Sequence, residues 1–353
     1  HSAWGNANIV LEPQAAKNVV YAKAMLSRPV LVKEQNANIT VSGLFADGST
    51  LDGSENITYQ SENPDFFTVD DNGVVTAVSD GTGYVAVTIH SGNIPYTTKI
   101  RVIVGQSETD TLYHFASPDN SRTFIMSIDD GKPFYTLIDG SDTVIESASF
   151  GIITDKADFS DGLAVKEVSA VKYIEDTYTL TAHTKEQYSD PCNERSFTYT
   201  KDGAEMTVIV RLYNDGMALR YVISSPDGTD FSIKDEATSV TLPQNATVWA
   251  MAYTPNLEGM YGAVSAGYIT GKYYSLPILA KNGEKYVLMT ETGINPEMSG
   301  TRAYGVSNGI QFTPVEKNTT VSSPFSSTWR VIVEGTLAEV TESSLVTAVA
   351  GKP

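Results

Sequence analysis

The four histidines, His1, His90, His114 and His183, form no HExxH or comparable metal-binding spacing, and the lone Cys192 can make neither an internal disulfide nor a zinc cluster. Acid–base and nucleophilic chemistry therefore has few obvious carriers, and no Ser-His-Asp triad can be assembled from spacing alone. Carboxylates are abundant. Asp70-Asp71-Asn72 offers the hard oxygen ligands that calcium prefers, but a tight hairpin needs the same residues before Gly73, and hairpin chemistry accounts for them. Trp249, Tyr253 and Tyr261 carry flat apolar faces on which a sugar ring can stack, although aromatic residues at this density more commonly build a core. Arg211 and Arg220 flank a hairpin and read as partners of carboxylates or as an internal polar seam.

The 353 residues, 41% of them apolar, suffice for two or three packed domains. With 42 acidic against 24 basic residues the net charge is −18, which disfavours nucleic acid and anionic membrane surfaces as partners. No run approaches the ~20 apolar residues of a membrane helix. The start, His1-Ser2-Ala3-Trp4, has no basic n-region or hydrophobic run, so any export signal is expected to have been removed ahead of it.

What must position these residues is β-structure. Thr82–Ile89, Lys99–Val104, Met206–Tyr213 and Ala218–Ser224 read as strands, punctuated by Asp71-Asn72-Gly73, Asp130-Gly131, Asp139-Gly140, Asp202-Gly203 and Asn214-Asp215-Gly216, which supply the positive φ angles of hairpin turns. Pro13 to Leu26 differs, since its alanines and apolar spacing predict a short packing helix or an ordered arm. A seam is expected near Gly105, where the apolar Ile100–Val104 gives way to a polar linker, dividing the chain into residues 1–105 and 106–353.

Residues 36 to 104 resemble the bacterial immunoglobulin-like domain of group 2, through Val41-Ser-Gly-Leu-Phe-Ala-Asp-Gly-Ser-Thr50, Ile57-Thr-Tyr-Gln-Ser-Glu-Asn-Pro64, Val69-Asp-Asp-Asn-Gly-Val-Val-Thr-Ala-Val78 and Gly81-Thr-Gly-Tyr-Val-Ala-Val87. Tyr59 stands where that family often has tryptophan. From about residue 107 onward the chain resembles the N-terminal domain of glycoside hydrolase family 97. The carrying blocks are Asp130-Gly-Lys-Pro-Phe-Tyr135, Met206-Thr-Val-Ile-Val-Arg-Leu-Tyr-Asn-Asp-Gly-Met-Ala-Leu-Arg-Tyr221, Phe231-Ser-Ile-Lys-Asp-Glu236, Trp249-Ala-Met-Ala-Tyr-Thr-Pro-Asn-Leu-Glu-Gly-Met-Tyr261 and Trp329-Arg-Val-Ile-Val-Glu-Gly335, in collinear order.

The resemblance implies an all-β chain, an Ig-like sandwich followed by a larger antiparallel β-supersandwich of galactose mutarotase type. It further implies a downstream (β/α)₈ barrel in cis, which carries the catalytic groups and a calcium ion and acts on α-linked oligosaccharides, in an exported bacterial protein that is periplasmic, surface-bound or secreted. Glu258 matches the glutamate that this domain offers to the calcium, so calcium is expected only in the complete enzyme. Glu291, Asn193 and Tyr261 are the expected substrate-binding residues, with Asn193 in an Asp190–Arg195 loop. Two alternatives stay open at this level: a stand-alone carbohydrate-binding or surface-adhesion protein, marked by micromolar binding of sugar to this chain alone, and a mutarotase using His183 and Glu291.

Overall fold

The computed structural model describes residues 17–28, 30–104, 108–109, 111–140, 142–179, 187–294, 296–298, 300–307 and 309–350. Its pairing is almost wholly antiparallel, as the alternating strands and Asp-Gly turns require. At Asp130-Gly131 and Asp202-Gly203 both turn residues have positive φ, 48° and 76° in the first and 52° and 80° in the second, so each hairpin closes in the conformation that matches strand twist.

Two sheets form the first sandwich. One orders the strands Val19–Leu26, Asn36–Phe45, Val74–Ala77 and Phe67–Val69, and the other Asn56–Ser61, Gly81–His90 and Tyr96–Val104. Leu31, Phe67, Val75, Val85, Val87, Ile100 and Val102 fill the space between them. Tyr59 packs against this core, and a Cβ at Gly73 would come within 2.8 Å of its ring. The Asp70 carboxylate accepts the backbone N–H groups of Asn72 at 3.0 Å and Val74 at 2.8 Å, so hairpin chemistry does occupy it.

Of the two forms expected for Pro13 to Leu26, a packing helix or an ordered arm, the helix is corrected over the described part. Val19–Leu26 is an edge strand paired with Asn36–Phe45. Val19, Ala22, Ala24 and Leu26 turn inward. Helix propensity in this stretch is modest, while the β-branched Val19 and Val20 and the aromatic Tyr21 favour extension, and an open sheet edge supplies the partner. Residues 13–16 and the join at Gly105 lie outside the described residues.

The rest is the supersandwich. A fourteen-stranded sheet is backed by a four-stranded sheet from Leu112–Ala116 to Asp142–Ser149 and a three-stranded sheet of Ile152–Thr154, Phe231–Glu236 and Thr319–Val321. Phe115, Phe124, Tyr135, Phe150, Phe197 and Tyr199 form a continuous aromatic core between the layers. After the last strand, Trp329–Gly335, two short helices, α1 (Leu337–Glu342) and α2 (Leu345–Ala350), lay Val340, Leu345 and Val349 on the outer face of the large sheet.

The two sandwiches meet through Val30 and Ile103 on one side and Ile138 on the other. A buried charge cluster adjoins this contact. Lys23 of the first sandwich reaches Asp139 at 2.9 Å, Lys285 bonds the same carboxylate, and Arg122 bonds Glu334. Burial opposes ionisation of Asp139, but Arg122, Lys23 and Lys285 outweigh it and hold the group down to about 2. Burial and the neighbouring Asp139 charge push Glu334 up to about 7 against the pull of Arg122 and Lys285.

These opposite shifts fix the sign of a pH dependence. Asp139 stabilises the fold as pH rises from 2 toward its ordinary 3.8, whereas the native state holds the Glu334 proton longer than the unfolded chain does. Stability from Glu334 is therefore lost as pH rises from 4.5 toward 7. Urea unfolding should show a decline of about 1–3 kcal/mol between these limits that Glu334→Gln removes. An identical pH profile in the variant would contradict this assignment.

Candidate functional site

The strand Thr247–Ala252 is held between Gly262–Ser265 and Tyr273–Asn282, and residues 253–261 cross the end of this unit as a loop. Thr254-Pro255-Asn256-Leu257 opens the loop as a turn, closed by the Leu257 N–H on the Thr254 carbonyl at 2.9 Å, with Pro255 presetting φ at the second position. The turn swings Glu258 into solvent. The Asn256 side-chain amide donates to the Glu258 carboxylate at 3.0 Å and its carbonyl accepts the Glu258 N–H at 3.4 Å, so this carboxylate is oriented but still has open coordination positions. Leu257, Met260 and Tyr261 are also exposed, Met260 by 91%.

Beneath the loop lies a cleft of about 410 Å³, lined by Tyr253, Pro255, Leu257, Ser275, Leu276, Thr290, Glu291, Gly300, Thr301 and Val315. Glu291 projects from the strand Lys285–Thr292 and is largely engaged. Its carboxylate accepts the Thr301 N–H and hydroxyl, both at 2.8 Å, and the Thr328 hydroxyl at 3.2 Å. Arg330, directly opposite on the neighbouring strand, approaches it at 3.4 Å. Arg330 in turn makes a two-pronged pair with Glu236, at 2.8 and 2.5 Å, and both side chains are fully buried. This network holds the cleft wall and was not singled out from sequence. Its one sequence signal is a charge at Arg330 beside the apolar run Val331–Val333, in a strand buried at every position.

Glu258, Tyr261 and Glu291 thus share one end of the supersandwich. Asn193 does not. The expected loop at Asp190–Arg195 is corrected: the segment lies inside the strand Gln187–Lys201, paired on both sides. The Asn193 amide donates to the Ala116 carbonyl at 2.8 Å, and its strand lies four spacings from that of Glu291, roughly 19 Å along the sheet. The resemblance implied a loop here, but the long hairpin with Ala204–Tyr213 keeps the segment extended.

The aromatic trio is dispersed. Trp249 stacks on Tyr286 with centroids 6.3 Å apart, Tyr253 lines the cleft, and Tyr261 stays on the loop. Arg211 pairs with Glu194 at 2.7 Å, and both Arg211 and Arg220 lie over the Trp329 ring, at 4.9 and 4.5 Å. His183 lies outside the described residues. Among the described residues no group of three or more His, Cys, Asp or Glu is arranged to hold a metal, and no helix is long and apolar enough to cross a membrane.

Fold and site together define the class: an antiparallel β-supersandwich, with an Ig-like sandwich ahead of it and a cleft under an exposed carboxylate loop. The chain belongs to glycoside hydrolase family 97, whose N-terminal domain (Glycosyl-hydrolase 97 N-terminal) matches residues 115–351; a bacterial Ig-like domain matches residues 55–104. It is similar to a protein described as a probable retaining alpha-galactosidase from Streptomyces bingchenggensis (strain BCW-1), 32% identical over 217 residues, which are 58% of this chain and 32% of that protein.

Among solved structures it is similar to a family 97 enzyme of Pseudoalteromonas sp. strain K8 in complex with panose. The TM-score is 0.62 at 17% identity, over 68% of this chain and 38% of that one. It is also similar to a beta-arabinopyranosidase, with a TM-score of 0.58 at 21% identity over 63% and 40% of the two chains. At these identities the likeness is one of fold. The chain spans about a third of the length of the curated relative.

Proposed function

We propose that this chain is the N-terminal region of an exported α-glycosidase of glucosidase or galactosidase type, and that it forms one wall of a carbohydrate site completed by a downstream (β/α)₈ barrel. The catalytic carboxylates belong to the barrel, and the substrate is an α-linked oligosaccharide. The observation that carries this reading is the loop 253–261, where an oriented but coordinatively open Glu258 stands among exposed Leu257, Met260 and Tyr261 beside a ready cleft. A solvated loop has no need of three exposed large apolar side chains; a surface that receives another domain does.

Calcium fits this loop as a shared ion. Calcium takes 6–8 oxygen ligands, and Glu258 offers one carboxylate, so the remaining ligands come from the barrel. When bound, the ion would supply a hard positive charge against sugar oxygens. Tyr261 and Glu291 border the same site, Glu291 chiefly by holding Thr301 and the cleft wall in place.

Amide hydrogen exchange tests the domain contact. Residues 253–262 should exchange markedly more slowly in the longer protein than in this chain alone. Equal exchange rates in the two would contradict a docked barrel.

A further inference from the structure

The contact between the two sandwiches is small and imperfectly packed. Val30 and Ile103 meet Ile138, Arg101 donates to the Thr143 hydroxyl, and a space of about 20 Å³ remains between Met25 and Arg101 on one side and Ser121 and Thr123 on the other. Relative motion is the default for two domains joined in this way. The charge cluster beside the contact therefore decides how firmly they are held.

Asp139 is one carboxylate shared by three cations. Lys23, from the first sandwich, stands 2.9 Å from its Oδ1, while Lys285 donates to Oδ2 and Arg122 lies 3.9 Å from it. The Lys23 contact is an ion pair without hydrogen-bond alignment, so its strength follows the charge around it. Glu334 is the second carboxylate of the cluster and is fully buried: its Oε1 accepts the Arg122 Nε–H, and its Oε2 has no partner. While Glu334 keeps a proton, Arg122 and Lys285 outnumber Asp139, and Lys23 meets one net positive charge. Loss of that proton cancels the excess and draws on Arg122 and Lys285, which leaves Asp139 to Lys23.

The other titratable groups facing the cluster are Tyr21 on the Lys23 strand, Glu339 on α1, and Asp215 with Asp190 near it. Burial pushes the Tyr21 hydroxyl up, and hydrogen bonds from Thr336 hold Glu339 below its ordinary range against burial, so neither changes charge near neutral pH. Burial raises Asp215, which makes it the group to control for. Glu334 itself titrates at about 7.

We propose that Lys23 and Asp139 form a latch between the two sandwiches whose strength is set by the proton on Glu334, loose in mildly acid and firm in mildly alkaline solution. The sign is opposite to that of the Glu334 effect on folding. Ionising a buried carboxyl weakens the supersandwich itself, whereas the new charge attracts Lys23 across the contact.

Single-molecule energy transfer between dyes on Ser54→Cys and Lys234→Cys, exposed positions one on each sandwich, reads the docked and detached populations of the 353-residue chain. Cys192 is buried and does not compete for label. The detached population should fall about five- to tenfold from roughly pH 5.5 to roughly pH 8.5. Glu334→Gln should keep the acid-side population at both pH values, and Asp215→Asn should retain the change. Lys23→Met should raise the alkaline population at least to the acid-side level. Docking of Lys23 and ionisation of Glu334 favour each other reciprocally, so Lys23→Met should also raise the pH midpoint of the Glu334 carboxyl signal in NMR.

A detached population that is equal at both pH values, that grows with pH, or that still falls in Glu334→Gln would overturn the latch. A Glu334 midpoint unmoved by Lys23→Met would overturn it too, and that measurement stands even if Glu334→Gln fails to fold.

Discussion

Replacement of Arg330 by methionine is expected to destabilise the fold by about 3–5 kcal/mol, the cost of leaving a buried charge without its partner. Burial opposes the Arg330 charge, but Glu236, followed by Glu291, holds the guanidinium ionised above its ordinary range. Methionine fills much of the space yet leaves the Glu236 carboxylate fully enclosed, and Glu291 and the Thr328 hydroxyl lose a donor. Urea unfolding measures the loss directly. Adding Glu236→Gln to Arg330→Met should recover part of it, because a neutral amide is cheaper to bury than an unpaired carboxylate. A single-variant cost under about 1 kcal/mol would mean that the pair does not hold the cleft wall.

The second large effect falls on function rather than stability. In a longer protein that carries the proposed barrel, Glu258→Gln should weaken calcium binding by at least the 10–100-fold that loss of an outer partner of a metal site typically costs. Glutamine keeps the shape and the contact to Asn256 but removes the charge that a hard cation seeks. Hydrolysis of an α-linked aryl glycoside should fall correspondingly at limiting calcium and recover at saturating calcium. Because Glu258 is exposed, urea unfolding of the variant should match the parent within about 0.5 kcal/mol. Activity lost equally at all calcium concentrations would contradict the ligand role.

The legible part of this molecule is the part governed by local chemistry. Asp-Gly turns located the hairpins around residues 130 and 202 because positive φ has few suppliers, and alternation located the strands that they join. A helix was one of the two forms expected for Val19–Leu26 because alanine favours a helix in isolation, whereas the decisive partner is the strand Asn36–Phe45, whose open edge no local pattern announces.

The site divides in the same way. Glu258 and Tyr261 lie on one short loop, so sequence proximity already placed them together. Glu291, Arg330 and Glu236 are brought together by pairing between distant strands and by packing across sheets. Asn193 went to a different place because its strand pairs through the full hairpin instead of opening into a loop.

Calcium titration by calorimetry, on this chain and on a longer protein that carries the proposed barrel, most directly tests whether the chain supplies half of a site. The chain alone should give no saturable heat at micromolar calcium. The longer protein should bind one calcium tightly, and its Glu258→Gln variant clearly more weakly. Tight binding by the chain alone, or equal affinity in the longer protein with and without the Glu258 carboxylate, would contradict the proposal.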